Sequence, residues 1–349
     1  MRGIGLVLIS VAVVASVALG VTSASGGTEG VFSVHCRESH QLPDDPIVFP
    51  NEPGASHLHE FFSNDITNAA STYDVMILAG TSCELSADTA AYWAPALVAP
   101  DGSVVQAIRF TAYYRGGDGS QAYPPDLRIV TGYPSVATGA DKVLGWSCND
   151  SDPYQATPPD CRGDGSGYVK AHVVFPSCWD GVHTDSADHR SHMAFPDGGN
   201  CPDGYPVQVP RLSIHITYPI ADGRGYGLSS DQQFGVTDGR SLHADFWNTW
   251  NQTALQALVK TCVDGGRECL DVTNEDLQGI IGGIIPTPPP SPSPSEPPPS
   301  PTPSPSPSPD QSLGARVTAL EAEVAALTQE VAELRDRIQA LEGTPSPSP

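Results

Sequence analysis

Three histidine-containing stretches of this chain have residue types and spacings that could do chemistry. In SHLHEFF (56–62), an extended backbone puts His57, His59 and Phe61 on one side of a strand and Glu60 on the other, because side chains alternate. Two imidazoles at positions i and i+2 can bind one metal ion when a third ligand comes from elsewhere. We therefore interpret His57 and His59 as candidate catalytic residues and as candidate ligands of a divalent metal ion, with no organic cofactor expected. The alternative is a pair of core histidines that only hydrogen-bond a neighbour.

The second stretch is a loop of residues 175–202, FPSCWDGVHTDSADHRSHMAFPDGGNCP, which is rich in ionisable side chains. Carboxylates beside imidazoles shift one another's pKa toward neutrality and can supply a general acid and a general base. Because functional residues are often carried on loops of a rigid scaffold, this loop is a candidate catalytic site. The alternative is a calcium-binding or purely structural turn. Its candidate catalytic residues are Asp180, His189 and His192, and its candidate substrate contact is Trp179.

The third stretch is SLHADFWNTW (241–250), in which an extended backbone places His243, Asp245 and Trp247 on one face with Trp250 nearby. An Asp–His pair beside indole rings suits a carbohydrate ligand, since sugar faces stack on aromatic planes and hydroxyl groups need polar partners. We interpret His243 and Asp245 as candidate catalytic residues and the two tryptophans as candidate sugar contacts. The alternative is a strand end that only starts the following helix.

The elements that must position these stretches are mostly strands, because β-branched and aromatic residues alternate with Gly-, Asp- and Pro-rich turns. A helix is predicted over residues 251–262, where Ala254, Leu255, Leu258 and Val259 share one face. No helices alternate with the strands, so a parallel α/β sheet is not expected. The sequence predicts an antiparallel β-sandwich or jelly-roll-like domain with long loops pinned by disulfide bonds. The clearest strands are WAPALVAP (93–100), SVVQAIRFTAYYR (103–115), YVKAHVVFP (168–176) and RLSIHITYP (211–219).

The chain has eight cysteines and no CxxC pair, which argues against a zinc ribbon or a thioredoxin-type site. Eight cysteines allow on the order of 100 connectivities, so spacing alone leaves the pairing open. Three pairs enclose short, polar, turn-rich loops, and the two remaining cysteines would then pair with each other. These pairs are Cys148/Cys161, Cys178/Cys201, Cys262/Cys269 and, by default, Cys36/Cys83.

The first residues, MRGIGLVLISVAVVASVALG, predict a secretory signal peptide over 1–25 with cleavage near Ala24 or Ser25. An uncleaved anchor is the alternative, because the apolar run approaches the roughly 18 residues that could span a bilayer. No second apolar run of that length follows, so we expect an extracellular or cell-surface protein that is not membrane-embedded. The formal net charge of −23 repels phosphate backbones, which makes nucleic acid an unexpected partner.

The composition divides the rest of the chain into modules: a globular domain (30–285), a Pro/Ser-rich linker (286–309), a coiled coil (310–343) and a disordered tail (344–349). Proline fills 14 of the 24 linker positions. A polyproline spacer of that length reaches roughly 75 Å at about 3.1 Å per residue. After it, apolar residues recur at alternating steps of four and three, which is typical of a coiled coil. They are Leu313, Val317, Leu320, Val324, Leu327, Val331, Leu334, Ile338 and Leu341.

The coiled-coil segment predicts a parallel homo-oligomer. Valine or isoleucine at every a position and leucine at every d position favour a dimer. The stretches RVTALE (316–321) and RIQALE (337–342) instead resemble a pattern associated with trimers. Dimer and trimer both remain open, and a single solvated helix is the alternative to either.

Several of these stretches together resemble the DUF1996 family, a domain of unknown function in secreted proteins of fungi and actinobacteria. The resemblance covers about residues 33–265. It departs at Phe61-Phe62-Ser63, where members often have FFG, and at Asn248-Thr249-Trp250, where they often have Asn-Gly-Trp. The resemblance implies an extracellular setting and makes the three histidine stretches the expected shared site, but it implies no reaction. The matching motifs, in order, are DDPIVFP (44–50), SHLHEFF (56–62), TSCELSADTAAYWAPAL (81–97), WSCND (146–150), FPSCWDG (175–181), DHRSHMAFP (188–196), CPDGYPVQVPRLSIHITYP (201–219) and HADFWNTW (243–250).

We expect the three stretches to converge into one cleft that acts on an extracellular or cell-wall polysaccharide by hydrolysis or elimination. The acidic exterior favours a neutral or basic polymer. No Gly-rich phosphate loop, nucleophile elbow or HExxH motif is present. The alternatives are a non-catalytic, multivalent glycan- or surface-binding module and a structural surface protein. Clustered histidines favour the enzyme, because glycan binding rarely requires so many imidazoles.

Overall fold

The computed structural model describes residues 29–132, 143–150, 153–163 and 165–282. The predicted signal peptide (1–25), linker (286–309), coiled coil (310–343) and tail (344–349) lie outside these ranges. Across the described part of the chain, no helix has the length and apolar character that a membrane span requires.

The described ranges contain seventeen strands, three α-helices and one π-helical turn. The strands are β1 (Gly30–Cys36), β2 (Glu38–Leu42), β3 (His59–Ser63), β4 (Ala91–Pro95), β5 (Leu97–Val98), β6 (Val104–Val105), β7 (Arg109–Gly116), β8 (Arg128–Thr131), β9 (Leu144–Ser147), β10 (Val169–Val174), β11 (Cys178–Trp179), β12 (Met193–Ala194), β13 (Val207–Gln208), β14 (Arg211–Tyr218), β15 (Gly227–Leu228), β16 (Ala244–Trp247) and β17 (Glu268–Cys269). The helices are α1 (Tyr73–Met76), α2 (Gln252–Leu258) and α3 (Asn274–Ile281), and the π-helical turn is Val259–Val263.

Two larger sheets carry the fold. The six-stranded sheet has the order β17-β1-β7-β14-β10-β9, and the five-stranded sheet has the order β2-β3-β4-β16-β8. Two small sheets, β12-β11-β13 and β15-β5-β6, are built from two-residue strands. Among the described strands, every pair is antiparallel except β1 with β17. The prediction of a mainly β domain with antiparallel sheets is therefore confirmed.

The two larger sheets share one hydrophobic core. Alternation along β7 directs Phe110 and Tyr114 into that core, whereas Thr111 lies on the opposite face of the strand. Phe110 stacks on Phe62 of the five-stranded sheet with ring centres 4.5 Å apart, and it contacts Tyr92 at 5.0 Å. Burying an aromatic side chain at such a contact stabilises the fold by about 1.5–3 kcal/mol. The face of each sheet that points away from this core is its outer face.

All four predicted disulfide bonds are present: Cys36–Cys83, Cys148–Cys161, Cys178–Cys201 and Cys262–Cys269. The described cysteines include no free thiol. Each bridge restricts the unfolded chain and typically contributes about 2–4 kcal/mol. Cys178–Cys201 encloses the histidine-rich loop, so it limits the conformations of that loop as well.

The predicted helix over 251–262 is present, but its second half is π-helical and not α-helical. Asn251 caps α2, since its side-chain oxygen accepts a hydrogen bond from the backbone nitrogen of Ala254 at 3.1 Å. From Val259 onward the chain widens into a π-helical turn, closed by a bond from the nitrogen of Asp264 to the oxygen of Val259. At Gly30, an added Cβ would lie 2.1 Å from the oxygen of Cys262, so only glycine lets β1 approach this turn so closely.

Ser63, at the end of β3, has a backbone angle φ of +69°, a conformation that glycine adopts more easily than serine. At this position the resemblance described from the sequence predicts glycine. Here the serine is held by its own side chain, whose hydroxyl donates to the carbonyl oxygen of Asp88 at 2.9 Å and contacts Thr81 at 3.1 Å. The backbone shape expected of the motif is thus kept although the glycine is replaced.

Candidate metal centre

The site lies on the outer face of the five-stranded sheet. His59 opens β3 and Asp245 lies within β16, and these two strands flank β4. His57 and His243 come two residues before them, on the same face. On the same face, next to these residues, lies a second, smaller hydrophobic cluster that includes Phe61. Glu60 is fully buried on the other side of β3, as alternation predicts, and accepts a hydrogen bond from the nitrogen of Leu97 at 3.2 Å.

The histidine cluster consists of His57, His59 and His243. The ring centres of His57 and His59 are 4.2 Å apart. The ring of His243 lies 5.0 Å from that of His57 and 5.9 Å from that of His59. Imidazoles that share one ion, at metal–nitrogen distances of about 2.0–2.1 Å, hold their ring centres on the order of 5 Å apart. The third imidazole that the SHLHEFF stretch required is therefore supplied by His243.

Each ring of the histidine cluster is oriented by a hydrogen bond from its Nδ1 atom. The partners are oxygens that can only accept, so each ring donates from Nδ1 and keeps the lone pair on Nε2. These bonds are His59 Nδ1 to Asp44 O at 2.9 Å, His57 Nδ1 to Gln233 Oε1 at 3.1 Å and His243 Nδ1 to Ser241 O at 2.7 Å. The Nε2 atoms of His57 and His59 are buried and have no hydrogen-bond partner among the described residues. Metal-binding histidines show this pattern, in which one nitrogen is fixed by the protein and the other faces the ion.

Burial keeps the histidine cluster uncharged. Desolvation lowers the pKa of His57, and it lowers the pKa of His243 to about 3. Desolvation, followed by the proximity of the other two rings, lowers the pKa of His59 well below its usual value. All three rings are consequently neutral at pH 7. Neutral imidazole is the form that binds a metal ion.

Two carboxylates complete the centre. One oxygen of Asp45, one oxygen of Asp245 and one nitrogen of His59 lie within 4.8 Å of one another. One nitrogen from each of the three histidines forms a second group of this kind. Asp245 is fully buried, and neither of its oxygens has a hydrogen-bond partner in the described part of the chain. Burial raises the pKa of Asp245 well above its usual value and also raises the pKa of Asp45. An unpaired buried carboxyl is costly, and a bound cation would offset that cost.

The centre opens into a cleft of ≈ 760 Å³, a size that suits a small ligand or one segment of a polymer. Three loops form its walls, and they include residues 45–57, 187–190 and 233–234. The second loop brings His189 and Arg190 to the cleft, and the third brings Gln233 and Phe234. The ring of Phe234 remains 38% exposed, so the cleft has an aromatic surface beside its polar floor.

Of the candidate residues in the histidine-rich loop, only His189 lines this cleft. Its Nδ1 atom bonds Asp185 at 2.8 Å. His192 lies outside the cleft with both ring nitrogens occupied, by Ser186 Oγ and by Arg128 O, each at 2.8 Å. Asp180 shapes a turn instead, because its Oδ1 accepts the backbone N–H groups of residues 182 and 183. The structure does not bring Asp180 and His192 to the histidine cluster. The oxygens of Asp180 bond within its own turn, and the ring nitrogens of His192 bond Ser186 and the backbone of Arg128.

The predicted tryptophan contacts are corrected as well. Trp247 and Trp250 are each only 1% exposed, so neither presents a ring face to a sugar. The ring nitrogen of Trp250 donates to Tyr114 Oη at 2.9 Å, deep in the shared core. Arg128 covers Trp247 at 4.2 Å. Trp179 is half-buried and donates to the carbonyl oxygen of His183 at 2.6 Å, away from the cleft.

Sequence reasoning missed three residues of the centre. Asp45 stands in DDPIVFP (44–50), a stretch that carries the family resemblance, but nothing in its spacing marks it as a ligand. Gln233 and Phe234 belong to a polar loop without periodicity, so only the folded structure shows that they face His57.

The fold and the site together define a disulfide-bonded, mainly β domain with a buried histidine–carboxylate cluster beneath an open cleft. A family model described as "Domain of unknown function (DUF1996)" matches residues 45–250, which is more than half of the chain. The chain belongs to this family. The match extends from Asp45 to Trp250 and so includes every residue of the centre. No curated protein and no solved structure matches the chain.

Proposed function

We propose that this domain is a metal-dependent extracellular enzyme that cleaves a polysaccharide by hydrolysis or elimination. One observation carries the proposal: three neutral imidazoles, each fixed through Nδ1, gather beside an unpaired buried carboxyl at the floor of an open cleft. A purely structural histidine cluster would satisfy both nitrogens of its rings, as His192 does.

In the proposed mechanism, His57, His59 and His243 would hold a divalent first-row ion of the zinc or manganese kind, which suits nitrogen and oxygen ligands. Such an ion, when bound, would supply a Lewis acid for a substrate oxygen or a water molecule. Asp245 would serve as a further ligand or as the acceptor of a proton, since its carboxyl has no other partner among the described residues. Both hydrolysis and elimination need these two functions.

The walls of the cleft favour a sugar polymer as the substrate. Phe49 and Phe234 offer apolar surface on which a pyranose face can pack, and polar groups of Gln233 and Arg190 lie close by for hydroxyl groups. The formal charge of −23 favours a neutral or basic polymer over an anionic one. Four disulfide bonds are consistent with an extracellular setting.

The test is an activity screen of the purified full chain against neutral and basic polysaccharides, with chelator and with added Zn²⁺ or Mn²⁺. Released reducing ends would report either reaction, and ultraviolet absorbance of an unsaturated product would identify elimination. We expect activity that chelator abolishes, that metal restores and that His57→Ala lacks. Activity that is insensitive to chelator would contradict the metal-dependent mechanism.

A non-catalytic glycan-binding module is the second candidate, and the exposed ring of Phe234 favours it. Our proposal for this protein also includes three features predicted from the sequence. They are a jelly-roll-like arrangement, secretion by a signal peptide and oligomerisation through residues 310–343. Several copies of one cleft on a parallel oligomer would bind a polymer with avidity. Glycan binding that survives His57→Ala, without any product in the screen, would favour the binding module.

A further inference from the structure

A second group of histidines lies on the outer face of the six-stranded sheet, away from the cleft. His172 on β10 and His215 on β14 are direct cross-strand partners, with ring centres 4.3 Å apart. Asp150 lies beside them, and one ligand atom from each of the three residues falls within 4.8 Å of the others. We call Asp150, His172 and His215 the outer-face cluster.

His172 has one ring nitrogen with a lone pair and no partner. Its Nε2 lies 2.6 Å from Ser147 Oγ, and the hydroxyl of Ser147 itself donates to the carbonyl oxygen of Asn149 at 2.5 Å. Because the hydroxyl hydrogen is used in that bond, His172 must donate from Nε2 and keep its lone pair on Nδ1. The residue is fully buried, and Nδ1 has no hydrogen-bond partner within the described ranges. Such an orphaned acceptor calls for a ligand or another compensation.

His215 is oriented in the same manner. Its Nδ1 donates to Asp150 Oδ1 at 2.9 Å, and Nε2 makes only a long contact of 3.4 Å with Ser213 Oγ. The order Ser213–His215–Asp150 also has the form of a nucleophile, a base and an orienting acid. However, β14 is paired with β7 and β10 on its two sides, so the ladders use the backbone N–H groups that an oxyanion hole would need. The geometry therefore favours metal binding over nucleophilic catalysis.

We propose that the outer-face cluster is a second metal site, which takes a divalent first-row ion such as Zn²⁺ on nitrogens of His172 and His215 with Asp150 beside them. For His215 and Asp150 to share the ion, the Nδ1 proton of His215 would move to Nε2, which faces Ser213 Oγ, and the ion would take its place between Nδ1 and the carboxylate. Two imidazoles and a carboxylate are a common donor set for these ions. The ion would join β10 and β14 to the loop closed by Cys148–Cys161, which carries Asp150. This site is independent of the proposed function, because it lies on a different sheet from the cleft.

One cation competes for the same carboxylate. Lys170 Nζ lies 2.7 Å from Asp150 Oδ2, and its charge opposes a second positive ion nearby. The outer-face cluster is therefore the weaker of the two sites. Removal of the Lys170 charge should therefore raise the affinity of the outer-face cluster for the ion and leave the affinity of the cleft unchanged. A purely structural histidine pair would show no such change.

The test is a calorimetric titration of the metal-free full chain with Zn²⁺, together with metal analysis of the loaded protein after gel filtration. We expect two ions per wild-type chain, and one in His215→Ala and in His172→Gln. His35→Ala is the matched control. His35 lies on the outer face of the same sheet and has both ring nitrogens bonded, to Thr111 at 2.9 Å and to Asp271 at 2.5 Å. The His35→Ala variant should therefore bind two ions, as wild type does.

Lys170→Met gives a second readout that does not depend on the loss of a core side chain. We expect it to tighten the weaker site several-fold and to leave the stronger site unchanged. Two ions still bound to folded His215→Ala, or an ion count that is the same in wild type and in folded His215→Ala, would overturn the proposal. An unchanged weaker site in Lys170→Met would overturn it as well. Loss of the stronger ion in His57→Ala alone would concern only the proposed function of the cleft.

Discussion

Nδ1 of His59 donates a hydrogen bond of 2.9 Å to the carbonyl oxygen of Asp44, and this bond determines which nitrogen of the buried ring can bind an ion. The bond is firm because Asp44 is itself held in place. Its two carboxylate oxygens accept the backbone N–H groups of Gly54 at 2.8 Å and Ala69 at 2.9 Å. The loop that carries Asp44 thus fixes the direction of His59 Nε2 before any ion arrives, and such preorganisation is typical of a binding site.

His57→Ala should abolish tight binding of Zn²⁺ at the cleft, because it removes one of three imidazole ligands. His57 is only half-buried, so the free energy of unfolding of the metal-free protein should change by less than about 1 kcal/mol. Metal analysis and urea denaturation of the metal-free protein measure the two effects.

His40→Ala is the control for this substitution. His40 stacks on Phe61 at 4.8 Å, but its ring nitrogens bond Ser39 and Thr67, so neither can serve a metal ion. The His40→Ala variant should bind Zn²⁺ as tightly as wild type does. Equal loss of metal in both variants would mean that the effect comes from the fold and not from ligation.

Gln233→Ala should weaken metal binding at the cleft although Gln233 is no ligand. Its Oε1 fixes the ring of His57, and loss of such an orienting partner typically costs about 10–100-fold in affinity. Competition with a chelator of known affinity measures the change. Gln232→Ala, at the neighbouring position of the same exposed loop, is the matched control. An affinity that is unchanged in Gln233→Ala would show that the His57 orientation does not depend on this bond.

Asp88→Asn should flatten the dependence of stability on pH. Burial raises the pKa of Asp88 from 3.8 to about 8, so the folded state keeps a proton that the unfolded chain releases. The contribution of this group is fully present below the unfolded pKa and is lost as pH rises toward 8, by up to about 1.4 kcal/mol per pH unit. Asparagine cannot lose that proton.

Urea denaturation of wild type and Asp88→Asn at pH 5 and pH 8 measures this effect. The substitution adds a constant offset, so only the change between the two pH values matters. We expect the variant to gain a few kcal/mol relative to wild type at the higher pH. A difference between the two proteins that stays the same at both pH values would contradict the raised pKa of Asp88.

Ser63→Gly should be more stable than Ser63→Ala by about 1 kcal/mol. Both substitutions remove the hydroxyl that bonds Asp88, but only alanine keeps a Cβ at the left-handed backbone angle of +69°. The midpoints of urea denaturation rank the two variants. An alanine variant as stable as the glycine variant would mean that the backbone angle imposes no strain here.

Much of the fold was predictable because the relevant signals are local. The β-branched strands, the turn residues between them and the short cysteine loops each depend on neighbouring positions, and the antiparallel sheets and three of the four disulfides follow from them. Cys36–Cys83 follows as the remaining pair. That His57 and His59 share one face of a strand is also predictable from local sequence, since it follows from alternation. The approach of His243 is not predictable in this way, because it depends on β4 lying between β3 and β16.

The remaining parts of the site depend on register and on loop conformation. His172 and His215 are single histidines in two apolar strands, YVKAHVVFP and RLSIHITYP, and only the pairing of β10 with β14 brings them together. Trp247 lies on the face that alternation predicts, but Arg128 and the smaller hydrophobic cluster cover its ring, and spacing does not reveal such a cover. Trp250 is buried by the opposite sheet, where it donates to Tyr114.

The most direct test of the central claim is anomalous diffraction from crystals of the full chain loaded with Zn²⁺, recorded at the zinc absorption edge. The account predicts an anomalous peak about 2.0–2.1 Å from Nε2 of His57, His59 and His243, with a carboxylate oxygen of Asp245 or Asp45 close by. A saturated crystal without a peak at these three nitrogens would contradict the metal centre, whatever else in the molecule bound zinc.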